Sequence, residues 1–325
     1  MRISGALLTL TALAALGSLA IGPADLGPGA IMAALAGQGD PRMVVIVQDI
    51  RLPRVALGLI VGAALGLSGA ALQGLLRNPL AEPGIIGTSS AAGLGAVIAL
   101  YFGWSSVFPA AVPVAAMIAA AIATLSLVVV AGREGDTLTL ILAGIAVSSL
   151  AVALTSLAMN LSPNPFALSE MVLWLLGSLQ DRSLDDIALA APFVAAGAAL
   201  LLSTGRSLDA LTLGEETAAS LGVRLARLRL IVVAGTALAV GAAVAATGTI
   251  GFVGLVVPHL LRPLVRHRPS ALLIPSALGG AVLVTAADMV VRLVPSTSEL
   301  MLGVVTSLVG APFFLFLIFR MRRAA

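Results

Sequence analysis

The feature that most constrains this chain is the spacing of its charges. They fall in short clusters, and the stretches between them are apolar and close to the ~20 residues that a helix needs to cross a bilayer. Hydrophobic residues make up 59% of the 325 positions and charged residues only 10%. Adding the 34 glycines brings the apolar-plus-glycine share to about 70%, against about 45–50% in soluble domains, so a soluble globular fold is excluded. At roughly 30 residues per crossing and connection, the length accommodates about ten spans. An all-α membrane protein is predicted, with residues 1–325 forming a single transmembrane domain and no appended catalytic domain.

Absences narrow the chemistry. All 18 basic residues are arginine, so a phosphate-binding G-x-x-x-x-G-K-[ST] loop is impossible and the chain is not its own ATPase of that kind. Cysteine is also absent, which removes thiolate nucleophiles, disulfides and Cys-ligated metals. No H-E-x-x-H motif or nucleophile elbow occurs. His259 and His267 have no partner at ligand spacing and are assigned structural roles, so neither a metal site nor a catalytic residue is expected. The net charge is only +3, and the arginines flank spans, which points to topology rather than nucleic-acid binding.

The first stretch, Arg2 followed by Leu7–Ile21, has the layout of a secretory signal peptide, with Ser18-Leu19-Ala20 at a cleavage-site position. It reads better as an uncleaved first span that anchors nine others. Residues 22–50 are expected to form a loop with one short helix. The further spans are placed at 53–76, 85–102, 110–131, 137–160, 186–203, 228–247, 250–265, 271–293 and 299–319. The eighth carries Pro258, His259 and Arg262 in a short run and is expected to be broken, or shielded from lipid by its neighbours. Trp104 and Trp174 fall at predicted interfaces.

An even number of spans puts both termini on one side. With Met1 inside, only Arg42, Arg51, Arg54, Arg182 and Arg292 lie outside, and the other 13 of the 18 arginines lie inside. This asymmetry predicts cytoplasmic termini. Intramembrane acids are scarce, with Asp288 nearly the only candidate, which argues against a buried proton relay. Arg51-Leu-Pro-Arg54 opens the second span and Arg224-Leu-Ala-Arg227 the seventh. An offset of five spans inverts the second copy, a weak sign of the inverted repeats found in transporters.

Three groups of residues stand out. Gly58, Gly62, Gly66, Ala70 and Gly74 line one face of the second span, either because other helices enclose it or as ordinary packing in a Gly/Ala-rich chain. Asn78-Pro-Leu-Ala-Glu-Pro83 follows as a rigid turn. Between the sixth and seventh spans, Thr212 and Glu215 fit a capping box, Glu215 and Glu216 occupy a first helical turn, and Gly222 supplies a stop. The short helix so defined is either a solvated connector or a docking knob for a cytoplasmic partner. Arg51, Arg54 and Arg292 run against the positive-inside trend. They either receive carboxylates from an external partner or pair locally with Asp49 and Asp288.

At these motifs the chain resembles the FecCD family, the permease subunits of type II ABC importers for iron-siderophores, haem and cobalamin. The matching segments run from Arg51 to Phe319. They are Arg51-Leu-Pro-Arg54, Gly62-Ala-Ala-Leu-Gly-Leu-Ser-Gly69, Gln73 with Arg77-Asn-Pro-Leu-Ala81, Leu142-Ala-Gly-Ile145, Gly214-Glu-Glu-Thr217 with Ser220-Leu-Gly222, Gly251-Phe-Val-Gly-Leu-Val-Val-Pro-His259, and Gly310-Ala-Pro-Phe313. The resemblance implies the type II permease fold of ten transmembrane helices in the cell inner membrane. It also implies a homodimer with the pathway on its axis, two cytoplasmic ATPase subunits that hold ATP and magnesium, and a periplasmic or extracellular substrate-binding protein.

By the same resemblance, a coupling segment at about 205–227 docks in the ATPase through Glu215, Glu216, Thr217, Ala218, Ser220, Leu221 and Gly222. Arg51, Arg54 and Arg292 receive acids of the binding protein. The fifth and tenth helices line the conduit, where the polar positions are Ser148, Ser149, Thr155, Ser156 and Asn160, and Thr306 and Ser307. The implied activity is import of an iron chelate or cobalamin by alternating access. The rivals are an autonomous secondary transporter or channel and, behind it, a membrane-embedded enzyme. One departure is Gly248-Thr249, where the family usually has Gly-Pro; losing the fixed φ of proline predicts a looser turn.

Overall fold

The computed structural model describes residues 2–24, 26–131, 137–294 and 299–324; Met1 and Arg133, both used above to orient the chain, lie outside them. The described residues are all-helical, 81% helix, with no strand among them. In chain order the helices are α1 (Arg2–Ala20), α2 (Pro28–Leu35), α3 (Pro41–Val45), α4 (Leu52–Leu75), α5 (Thr88–Tyr101), α6 (Ala111–Ala131), α7 (Thr137–Asn160), α8 (Pro165–Leu175), α9 (Leu184–Ser203), α10 (Gly205–Leu211), α11 (Glu215–Ser220), α12 (Leu225–Thr247), α13 (Val253–Leu261), α14 (Pro269–Leu293) and α15 (Leu302–Ala324).

Each of the ten expected spans contains a helix, and among the described residues seven stretches are long and apolar enough to cross a bilayer unaided: 3–20, 41–75, 111–130, 138–160, 184–203, 225–247 and 269–293. The third and eighth expected spans are shorter: α5 has 14 residues and α13 has nine, whereas α15, the tenth, has 23. Pro258 lies inside α13, and Val253–Pro258 are buried, so the broken eighth span is shielded by protein as its composition demanded.

Two further elements depart from expectation. Residues 22–50 hold two short helices rather than one, and a π-helical stretch (Ile46–Arg51) runs straight into α4, so the second span begins at Pro41. Asp40 starts it, its carboxylate accepting from the Arg42 amide at 2.9 Å, with Pro41 at the first helical position. α8 (Pro165–Leu175) lies between the fifth and sixth expected spans, where no helix is predicted. Asn164 caps it, accepting from the Ala167 amide at 2.9 Å ahead of Pro165.

α4 is the central helix: 19 of its 24 residues are buried. Its glycines make this possible. A Cβ at Gly66 would lie 2.0 Å from the Ser276 carbonyl oxygen of α14, and one at Gly62 would lie 2.3 Å from that of Gly280. Backbone meets backbone at both places, which is the enclosed-helix alternative. Gly66→Ala must push α14 away, and overpacking of this kind costs about 1–3 kcal/mol. A fall in thermal stability in detergent checks it, with Gly74→Ala, whose Cβ finds only ordinary contact, as the benign comparison.

The helix pairings repeat with an offset of five spans. α4 packs on α14 and α13, the second span on the ninth and eighth; α12 packs on α6 and α5, the seventh on the fourth and third. The faint similarity of the two Arg-Leu-x-Arg segments therefore accompanies a repeat in the packing.

Candidate coupling, docking and conduit surfaces

At one end of the bundle, α10 and α11 form a compact projection. Glu215 and Glu216 occupy the first turn of α11, where the helix dipole favours carboxylates. The expected capping box is absent. Gly214, at φ 106°, is the N-cap with no side-chain bond, and the Thr212 hydroxyl donates instead to the Asp209 carbonyl at 2.7 Å. Thr212 stands two residues before the cap, too early to reach the first amides. The stop does form: Gly222 has φ +86°, its amide donates to Ala219 O at 2.9 Å, and the Val223 amide donates to Ala218 O at 3.0 Å, a Schellman motif.

This projection is tied inward. Arg229 of α12 donates through Nη2 to both Glu215 oxygens at 3.0 Å. Ala218 is fully buried in an apolar cluster with Leu208, Leu211, Leu228 and Val232. Of the residues expected to meet a partner, Glu216, Thr217, Ser220, Leu221 and Gly222 are exposed, whereas Ala218 points into the protein and Glu215 is half-buried in its ion pair. Leu213, beside the knob, is exposed as well, and no sequence motif marks it. Asp209 of α10 fastens the same unit to α14, accepting from the Ser270 hydroxyl at 2.6 Å, its amide at 2.8 Å and Arg268 Nε at 2.8 Å. Burial pushes the Asp209 carboxyl up, but these donors outweigh it and hold the group below the usual carboxylate range.

At the opposite end the three arginines are turned inward. Arg51, only 4% exposed, donates to the carbonyls of Leu19 (2.7 Å), Ala20 (3.0 Å) and Ala24 (2.5 Å), and so caps the C-terminal end of α1, where a cation suits the dipole. Arg292 reaches the same end, donating to Ser18 O at 2.9 Å and Ile21 O at 2.7 Å and to the Ser18 hydroxyl. Arg54 grips Asp288 through Nε at 2.9 Å and Nη2 at 2.8 Å and also pairs with Glu299. Asp288 in turn pairs with Arg292 at 3.1 Å.

The local-pairing alternative is therefore realised, though not with the expected acids alone. Asp288 serves two arginines, Glu299 joins them, and backbone carbonyls take the place of Asp49 for Arg51. A cavity of about 570 Å³ beside them is lined by Arg54, Arg292 and Glu299 together with Asp49, Asp181 and Arg182. Burial holds the Arg182 guanidinium below the ordinary arginine range, against the pull of Asp186 and Asp181.

α7 and α15 present an open flank. On α7, Ser149, Ser156 and Asn160 are exposed, and their spacing of seven and four residues puts them on one stripe. The other two expected α7 positions face inward: the Ser148 hydroxyl bonds that of Ser90 at 2.8 Å, and Thr155 is buried on the side of Ala151 and Gly144. On α15, Thr306 is buried. Ser307 donates to Gly303 O at 2.7 Å and lines a cavity of about 640 Å³ with Thr249, Gly251 and Pro312.

The Gly248–Thr249 turn is not loose, contrary to expectation. The Thr249 hydroxyl donates to the Leu175 carbonyl, and the Ser178 amide donates to Thr247 O at 2.8 Å. Gly248 at φ +73° lies so close to Trp174 that a Cβ would sit 2.1 Å from its carbonyl oxygen. Cross-links from α8 replace the rigidity a proline supplies. His259 packs edge-on against Phe313 at 6.0 Å, in keeping with a structural role.

Comparison with known proteins bears on these surfaces. The family model of the FecCD transport family matches residues 10–320. The cobalamin import permease BtuC of Halobacterium salinarum is 42% identical over 276 residues, covering 84% of this chain and 73% of that protein. The hemin transport permease HmuU of Yersinia pestis is 40% identical over 283 residues, covering 84% and 83%. The vitamin B12 import permease BtuC of Salmonella paratyphi A is 38% identical over 320 residues, covering 97% and 94%. Among solved structures, an inward-facing metal-chelate type ABC transporter matches with a TM-score of 0.88 at 33% identity, over 98% of this chain and 99% of that one.

Proposed function

The chain belongs to the FecCD transport family of ABC importer permeases, and from that premise we propose that it carries an iron chelate, siderophore or haem, or cobalamin into the cytoplasm by alternating access. The names of the relatives, which cover cobalamin, vitamin B12 and hemin, support that substrate range. It is a transport permease and not an enzyme. In this reading ATP and magnesium stay on two cytoplasmic ATPase subunits, a separate protein delivers the ligand outside, both termini are cytoplasmic, and residues 1–325 act as one transmembrane domain.

The observation that carries the reading is the α10–α11 projection. Its outer side offers Glu216, Thr217 and Leu221, while its inner side is anchored to α12 through Glu215–Arg229 and Ala218 and to α14 through Asp209. Both of those helices pack on α4. A push from an ATPase on α11 is thereby handed to the two helices that grip the centre of the bundle. The chain pairs with a second copy through α7 and α15, so that Ser149, Ser156, Asn160 and Ser307 border the conduit.

The outer arginines keep a docking role in modified form. The Glu299 side chain is 20% exposed and that of Asp288 only 2%. An incoming carboxylate therefore displaces Glu299 on Arg54 and leaves Asp288 in place. The composition of the native complex in mild detergent tests the assignment: two copies of the chain with two ATPase subunits are expected. The chain alone, moving solute without ATP, overturns it in favour of a secondary transporter.

A further inference from the structure

Between α6, α9 and α12 a groove of about 660 Å³ opens to the side of the bundle, lined by Met117, Ala121 and Leu125 of α6, Phe193 of α9, and Leu230 and Ala234 of α12 among other apolar residues. The one polar side chain in the lining, Thr124, donates to the Ala120 carbonyl of its own helix at 2.7 Å, so the groove offers no unmet polar atom. Along α6 it runs from Val114 to Val128, about 21 Å at a rise of about 1.5 Å per residue. One leaflet contributes about 15 Å, half of a hydrocarbon core of about 30 Å. The groove is therefore long enough for a whole acyl chain.

Among the described residues its two ends differ in charge. Leu189, at the Val114 end, also borders a cavity lined by Glu170, Asp185 and Asp186 against the single Arg182. At the other end, Arg227 stands three residues before Leu230 on α12, one turn beyond the groove on the same helix face. It is exposed and has no carboxylate partner among the described residues. A phosphate is repelled at one end and received at the other.

We propose that the groove is a binding site for a diacyl phospholipid with an anionic headgroup, one acyl chain lying along α6 and α12 and the phosphate meeting Arg227. Guanidinium is suited to phosphate oxygens, and a juxtamembrane arginine contributes roughly a five-fold preference for an anionic lipid. The assignment requires that the chain spans a bilayer and nothing about its transported ligand.

The test is native mass spectrometry of the full-length protein titrated with phosphatidylglycerol and with phosphatidylcholine of the same chains. Phosphatidylglycerol is expected to bind about five-fold more tightly. Arg227→Gln is expected to erase the difference, and Arg77→Gln, at an exposed arginine elsewhere, to preserve it. Ala234→Phe fills the groove and lowers the binding of both lipids. Equal binding by the unaltered protein overturns the site, as does a preference that survives Arg227→Gln or is lost equally with Arg77→Gln.

Discussion

Reversing the charge of Glu215 alone is expected to bring uptake close to background, and reversing Arg229 as well to restore it. Glu215→Arg places a second guanidinium against Arg229, where two hydrogen bonds at 3.0 Å now join α11 to α12. The pair is part-exposed, its side chains 41% and 15% accessible, so the loss of folding stability is small, about 1 kcal/mol or less. The loss of coupling is large, because the strut that carries motion from the knob to α12 is replaced by repulsion. In proteoliposomes of the assembled complex, ATP hydrolysis should continue while uptake falls at least about ten-fold, which corresponds to roughly 1.4 kcal/mol. Glu215→Arg with Arg229→Glu rebuilds the pair in reverse.

Glu216→Arg separates the two roles of the knob. Glu216 is exposed and faces away from the protein's own helices, so its reversal acts on the partner and Arg229→Glu cannot repair it. Uptake unchanged in the Glu215→Arg, Glu216→Arg double variant would remove the coupling assignment altogether. Rescue of Glu215→Arg without rescue of Glu216→Arg identifies a strut inside the chain and a contact outside it.

The spans were legible because apolar length is a one-dimensional signal that survives without contacts. What that signal lacks is depth. α5 and α13 have apolar sequences like their neighbours, yet they cover only part of the bilayer, because packing on α4, α6 and α12 substitutes for lipid contact. α8 escapes that signal because its apolar run is short, although Asn164-Pro165 is a helix start. The positions of Ser148 and Thr155 were also within reach, since Gly144, Ala151 and Thr155 recur at seven and four residues and mark the packed side of α7. Ser149, Ser156 and Asn160 lie on the other side.

The outer arginines mark a limit of a different kind. A sequence displays Asp288 four residues before Arg292, but the partners of Arg51 lie 27 to 32 residues away and Glu299 lies 245 residues from Arg54. Nothing local announces such contacts. At the knob, Thr212 and Glu215 have capping-box spacing, but a glycine at φ 106° starts the helix later than that spacing supposes.

Asp288→Ala is expected to be among the most damaging single changes, and for a reason that separates folding from docking. Asp288 is 1% exposed and is the carboxylate shared by Arg54 and Arg292. Removing it leaves two guanidinium groups facing each other inside the protein, and breaking a buried pair from one side costs about 3–5 kcal/mol. The midpoint of thermal unfolding in detergent should fall sharply, and Asp288→Asn should recover only part of the loss, since an amide accepts hydrogen bonds without supplying charge. Glu299→Gln, at the accessible edge of the same network, should leave stability nearly unchanged while altering affinity for the external binding protein. Equal destabilisation by Asp288→Ala and Glu299→Gln would mean that the network is one structural unit with no exchangeable position, and the displacement of Glu299 by a partner carboxylate would then have to be abandoned.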